Sequence, residues 1–143
     1  MKNYNVVGKQ AEYFVVSSMI GEGFEVFNSM TNNSRVDYVA LDTETNRLYK
    51  IQVKTTIEMK DGCLQYTIKK SSKNYSYIYK KGDFDIYAFV YLPTNEIMYK
   101  WFDNVYCTNS IHFRVTLPKN NQVRNINLWC PNTLKSLTDN EVQ

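Results

Sequence analysis

Residues 34 to 56 read SRVDYVALDTETNRLYKIQVKTT. Two runs rich in β-branched and aromatic residues, Arg35 to Asp42 and Arg47 to Thr56, flank a polar connection, which is the sequence form of a β-hairpin. With Thr43 facing Asn46 across a two-residue turn of Glu44 and Thr45, paired positions sum to 89 and Asp37 lies opposite Gln52; a three-residue loop shifts this by one. Strand side chains alternate, so Ile51, Val53 and Thr55 point one way and Lys50, Gln52, Lys54 and Thr56 the other. Asp37 shares its face with Val39 and Leu41. Asp37, Gln52 and Lys54 therefore gather on one side of a hairpin whose faces are otherwise largely apolar.

Toward the N-terminus, Ala11, Phe14, Val15, Ser18 and Met19 fall on one stripe, predicting a helix from about Val7 to Ile20. Gly21 and Gly23 stop it. Glu12 lies at the border of that stripe, partly buried yet able to reach a cavity. A short strand, Phe24 to Phe27, follows. Beyond the hairpin, strands are expected at Leu64 to Ile68 and Ile111 to Thr116, and a second hairpin joins Asp85 to Leu92 with Glu96 to Phe102. Pro118 to Asn125 reads as a polar loop and Ile126 to Trp129 as an extended segment. The tail after Pro131 is expected to hold one short helix and then to fray. This order predicts an α+β fold with a central mixed sheet, in one domain over residues 1–143.

Composition agrees. At 143 residues, 43% hydrophobic and 22% charged, the chain can close a core without metal or disulfide staples, which excludes disordered and collagen-like classes. No run approaches the roughly 18 apolar residues of a membrane span, and Met1 to Gly8 lacks a secretory pattern, so an intracellular protein is expected. Cys63, Cys107 and Cys130 form no CxxC pair and are expected as reduced, mostly buried thiols. A single His112 argues against histidine-based centres. Trp101 and Trp129 are expected in the core or at a subunit interface.

The net charge of +3 is unevenly placed: Lys50 to Lys81 holds eight lysines against Glu58 and Asp61, a local +6. Tyr66, Tyr75, Tyr77 and Tyr79 are interleaved with these lysines, beside Ser71, Ser72 and Asn74. Such a mixture contacts phosphates and sugars, and it also suits a solvated Lys-rich loop.

Hydrolysis of a phosphodiester needs a divalent cation on oxygen ligands, an activated water and a cation near the scissile phosphate. Asp37 fits as the central ligand and Glu12 as a second carboxylate. The Gln52 amide oxygen and the Val53 carbonyl complete a set of the kind Mg²⁺ prefers, with Lys54 placed to orient water or balance charge. The same spacing also suits an ordinary strand with a hydrogen-bonded Asp37 and an exposed Glu12.

Glu12 in a first helix, Ser34-Arg35-Val36-Asp37 entering a strand, and Gln52-Val53-Lys54 in the next resemble the PD-(D/E)xK nuclease superfamily, with Val36 where the motif has Pro and Gln52 where it has an acid. More narrowly, the chain is similar to the group I intron homing endonucleases of that superfamily and their small bacterial and phage relatives. Gly8-Lys9-Gln10-Ala11-Glu12, Gly82-Asp83-Phe84-Asp85 and Leu117-Pro118-Lys119-Asn120-Asn121-Gln122 carry that likeness, over roughly Val7 to Trp129. The resemblance implies a restriction-endonuclease-like α+β fold with an αβββ core, flanking helices and additional hairpins. It implies Glu12, Asp37, Gln52 and Lys54 as the catalytic set, with Glu12, Asp37, Gln52 and Val53 holding Mg²⁺, or Mn²⁺ in its place. The implied activity is a metal-dependent endonuclease on double-stranded DNA, assembled as a homodimer or homotetramer. Lys9, Arg35, Lys69, Lys70, Ser71, Ser72, Lys73, Tyr79, Lys80, Lys81, Asn120 and Gln122 are the expected DNA contacts. Asp83 and Asp85 are read as turn formers or as residues that order the site. A Holliday-junction resolvase or structure-selective repair nuclease, and a catalytically inactive DNA-binding module, are the alternatives.

Overall fold

The computed structural model describes residues 3–31, 34–72, 74–116, 120 and 126–141, with only the backbone of Ser72. Helix α1 (Tyr4–Gly21) opens on Asn3, whose side chain accepts from the Asn5 and Val6 amides, satisfying donors that the first turn leaves free. It starts three residues before the predicted Val7. Ala11, Val15 and Met19, four apart, are its buried residues and line one face. Gly23, at φ 100°, turns the chain into β1 (Phe24–Asn28) with a conformation that would strain a residue bearing Cβ.

The central hairpin is β2 (Tyr38–Asp42) and β3 (Arg47–Thr56). Tyr38 faces Ile51 and Asp42 faces Arg47, the register read from the sequence. The turn has four residues instead of two: Asp42 Oδ1 accepts from the Glu44 and Thr45 amides, and Asn46, at φ 63°, donates its N–H to the Asp42 carbonyl at 2.7 Å. The first strand also starts at Tyr38 and not Arg35. Val36 gives its amide to Ser34 Oγ, and the Asp37 side chain takes the Val53 N–H.

After β3 the chain crosses over through β4 (Met59–Lys60), β5 (Cys63–Thr67), β6 (Lys69–Ser72) and β7 (Tyr75–Ile78) before β8 (Ile86–Tyr91). β8 pairs parallel with β3, from Ile51 beside Ile86 to Thr56 beside Tyr91, and β9 (Glu96–Trp101) pairs antiparallel with β8. The central sheet is mixed, in the order β1-β2-β3-β8-β9. β10 (Ser110–Arg114) joins β5 and β4 in a second sheet, and β6 with β7 forms a separate two-stranded ribbon. In the sequence this ribbon lies within the Lys-rich segment, where no strand is predicted.

Each face of the central sheet carries a core. On one, α1 covers Tyr38, Ala40, Ile51, Val53, Ile86, Ala88 and Val90. On the other, Leu64, Tyr66, Ile111 and Phe113 of the second sheet pack on Tyr87, Phe89 and Met98, where the Tyr66 hydroxyl donates to the Val90 carbonyl at 2.9 Å. β8 is buried from Ile86 through Val90, as a strand covered on both faces must be. The architecture is the expected α+β with a mixed sheet, but the helices sit on one face and strands cover the other.

The segment after Pro131 holds the one short helix expected of it, and it is docked on the sheet. Asn132 accepts the Tyr99 amide at 2.6 Å and donates to the Tyr99 carbonyl at 3.0 Å, so it occupies the free edge of β9. Thr133 and Ser136 then form a capping box for α2 (Leu134–Asp139), whose Leu134 is fully buried among the α1-side residues. Cys107 and Cys130 are exposed and Cys63 is half-buried, all as free thiols, so the expectation of mostly buried cysteines is corrected. His112 is an exposed residue of β10. Trp101 packs beside the α1-side core and Trp129 beside the other. Among the described residues no helix is long and apolar enough to cross a membrane.

Candidate active site

Asp37 sits one step before β2. Its amide donates to the Ile51 carbonyl at 3.0 Å and its Oδ2 accepts the Val53 N–H at 2.8 Å. Ile51 and Val53 therefore turn their backbone polar groups toward the β2 edge, and the Val53 carbonyl shares that direction. Burial pushes the Asp37 carboxyl up to about 6, with repulsion from Glu12 adding to it, while the Val53 N–H, Lys54 and Lys9 pull the other way.

Glu12 reaches the same region from α1, its carboxylate one-fifth exposed and 3.6 Å from Lys9 Nζ. The Tyr38 hydroxyl lies near that carboxylate. Burial first, then the Glu12 and Asp37 charges, push Tyr38 up to about 12. Tyr38 was absent from the sequence-based set. Its place next to Asp37 on the helix-facing side of β2 was the available signal.

Gln52 is 7% exposed, and its Oε1 is buried with no hydrogen-bond partner among the described residues. A buried acceptor left in this state costs about 1–3 kcal/mol. Two carboxylates in mutual repulsion and an orphaned amide oxygen fit a hard divalent cation, since all the donors are oxygen. Among the described residues no cluster of three or more His, Cys, Asp and Glu suits a metal, the third donor here being an amide.

Lys54 lies two residues along the same face. Burial pushes it down to about 8 and Lys70 adds repulsion, against the attraction of Asp37. Its Nζ is 3.4 Å from the Tyr79 hydroxyl and 5.0 Å from that ring's centroid.

The expected DNA contacts separate into groups. Lys9 and Arg35 flank the site, Arg35 stacking 4.0 Å above the Tyr77 ring and pairing with Asp83 at 3.3 Å. Lys69, Lys70 and Ser71 lie on β6, as does the backbone of Ser72. Lys80 is exposed, and Lys81 pairs with Asp103 at 3.3 Å. Tyr79 is buried, packed edge-on against Phe84 at 5.0 Å, which takes it off any contact surface and leaves it supporting Lys54. Asn120 is exposed, whereas Lys73 and Gln122 fall outside the described residues.

Asp83 forms its turn and more: its Oδ2 accepts from the Lys80 amide at 2.8 Å and the Tyr77 hydroxyl at 3.0 Å. Asp85 takes the Lys50 amide at 2.8 Å, tying β8 to β3. Cavities of about 650 and 460 Å³ lie elsewhere, around Asp85, Trp101 and Glu141. Glu12, Asp37, Gln52 and Lys54 line neither of them.

A family model described as PD-(D/E)XK endonuclease matches residues 2–130. Among solved structures, a bacterial homing endonuclease, I-Ssp6803I, superposes with a TM-score of 0.72 over 86% of this chain and 86% of that one, at 19% identity; the likeness is one of fold. No curated protein matches.

Proposed function

The chain belongs to the PD-(D/E)XK endonuclease family, and on that premise we propose that it is a metal-dependent endonuclease that hydrolyses phosphodiester bonds of double-stranded DNA. Its fold is the restriction-endonuclease-like α+β architecture. The observation that carries the metal-dependent reading is the orphaned Gln52 Oε1 beside an Asp37 carboxyl pushed up to about 6.

Asp37, Glu12, Gln52 Oε1 and the Val53 carbonyl would hold the cation, Mg²⁺ in the first instance or Mn²⁺. When bound, it supplies charge neutralisation at the phosphate and a more acidic water. The chain's own groups do the rest. Lys54 holds a proton at Nζ in most molecules at neutral pH, where it balances charge developing on the phosphate, and Tyr79 fixes its direction. Lys9 and Arg35 at the margins, with the lysines between Lys69 and Lys81, draw the DNA backbone toward the site.

The whole chain acts inside the cell as one nuclease domain with one site, so cutting both strands requires a homodimer or homotetramer. A homing role is the reading that the fold likeness to a homing endonuclease favours. The test is cleavage of a randomised linear duplex and of four-way junctions with Mg²⁺, with EDTA as control. Duplex cutting that EDTA stops is the expected outcome. Exclusive cutting of junctions points to resolution, and binding without cutting by the wild-type protein overturns the assignment as an enzyme.

A further inference from the structure

The ribbon of β6 and β7 has two unlike faces. Lys70 pairs with Tyr77 and Ser72 with Tyr75, while Lys69 pairs with Ile78 and Ser71 with Ser76; cross-strand partners share a face. The first face is anchored. Tyr77 lies under the Arg35 guanidinium at 4.0 Å, gives its hydroxyl to Asp83 at 3.0 Å, and stacks on Tyr75 at 6.3 Å. Because Arg35 precedes Asp37 by two residues, these contacts fix the ribbon's angle to the strand that carries the carboxylate. A two-stranded ribbon on its own is only marginally stable in water, and this anchor supplies what it lacks.

The second face carries Lys69, Ser71, Ser76 and Ile78. Ser71 and Ser76 are exposed, and neither hydroxyl has a partner among the described residues. Ile78 is 49% exposed. A surface that only tracks phosphates would be dense in lysine and arginine. This one instead offers two small hydroxyls able to donate or accept, one apolar side chain of the sort that meets a thymine methyl, and one amine suited to guanine O6 and N7. The B-DNA major groove, about 12 Å wide, admits a two-stranded ribbon.

Building on the duplex-endonuclease reading above, we infer that the β6–β7 ribbon enters the major groove beside the cut and that Ser71 and Ser76, with Lys69 and Ile78, read base edges there. At about 3.3 Å per residue, a four-residue strand spans roughly 13 Å. Against a rise of 3.4 Å per base pair, that is roughly three to four consecutive pairs. Arg35, two residues before Asp37, stacks on Tyr77 of the ribbon at 4.0 Å, so this block adjoins the proposed site of the scissile phosphate.

The experiment selects sequences bound by the full chain from randomised duplexes in Ca²⁺, and separately sequences cut in Mg²⁺. The wild-type protein should show a block of about three to four preferred pairs next to the cut. In the Ser71→Ala, Ser76→Ala double variant, preference within that block should fall about tenfold while preferences elsewhere persist. The Ser71→Asn, Ser76→Asn variant should move the block toward adenine, a change that mere loosening of the ribbon does not produce. Unaltered profiles in both variants overturn the inference and leave the endonuclease reading standing. Wild-type protein that binds with such a block but never cuts overturns the endonuclease reading and leaves the ribbon assignment standing, and failure to bind any duplex overturns both.

Discussion

Asp37 and Lys54 are each held away from their ordinary protonation behaviour by burial, which stores a cost in the metal-free protein. Ionising Asp37 is harder in the folded chain, where its value is about 6, than in the unfolded one at 3.8, so stability falls as pH rises from about 4 through 6 and is flat above. Asp37→Asn keeps an oxygen for the Val53 N–H and removes the charge. It should therefore raise metal-free stability at pH 7 by up to about 3 kcal/mol, read by thermal unfolding, while lowering the cleavage rate by about 100-fold or more. The same proton competes with the cation, so affinity for Mg²⁺, measured by calorimetry, should drop as pH falls below about 6. Lys54 has the opposite sign: with a folded value near 8 against 10.5, its penalty is full below pH 8 and disappears as pH rises toward 10.5. Lys54→Met should be at least as stable as wild type at pH 7, lose that advantage near pH 10, and not cut. Asp37, Gln52 and Lys54 were legible in sequence because strand alternation and hairpin register fix which face each occupies. Tyr79, the partner of Lys54, was not, because it arrives across a crossover that no local period describes.

At the scale of elements, the helix α1, the hairpin and the β8–β9 pair were readable from periodicity and turn residues. The β6–β7 ribbon was missed although Tyr75, Tyr77 and Tyr79 alternate at the strand period, because the lysines and serines around them read equally well as a solvated loop. What makes it a ribbon is contact with a distant residue, Arg35, which Asp83 gathers with Tyr77 and the Lys80 amide. Asp83→Ala should therefore speed amide hydrogen exchange across Lys69–Ile78 and leave α1 unchanged, at a global cost of about 2 kcal/mol. The docking of the C-terminal helix was equally hidden, since it depends on Asn132 meeting the edge of β9. There Thr133→Ala, which removes the cap from α2, should cost about 1 kcal/mol in denaturant unfolding.

For the molecule as a whole, a net charge of +3 hides the local +6 of Lys50 to Lys81, which on the proposed function draws a polyanion to one stretch of structure. Each phosphate neutralised adds about 0.9 to the slope of log affinity against log salt. Lys80→Ala should lower that slope by about one while leaving base preference as it was, a contrast with the serine variants of the ribbon. The crossover has a further consequence, for the order in which the chain folds. β1, β2 and β3 form a local meander that brings Asp37, Gln52 and Lys54 together early, whereas β8 can pair with β3 only after 29 intervening residues, Ile57 to Asp85, have been looped out, an entropic toll met late. Pulse-labelled exchange during refolding should protect β2 and β3 before β8. On the proposed ligand set, the carboxylate and amide oxygens are thus brought together before Tyr79 reaches Lys54, so a chain emerging from synthesis would hold the means to bind a cation well before it held the means to cut.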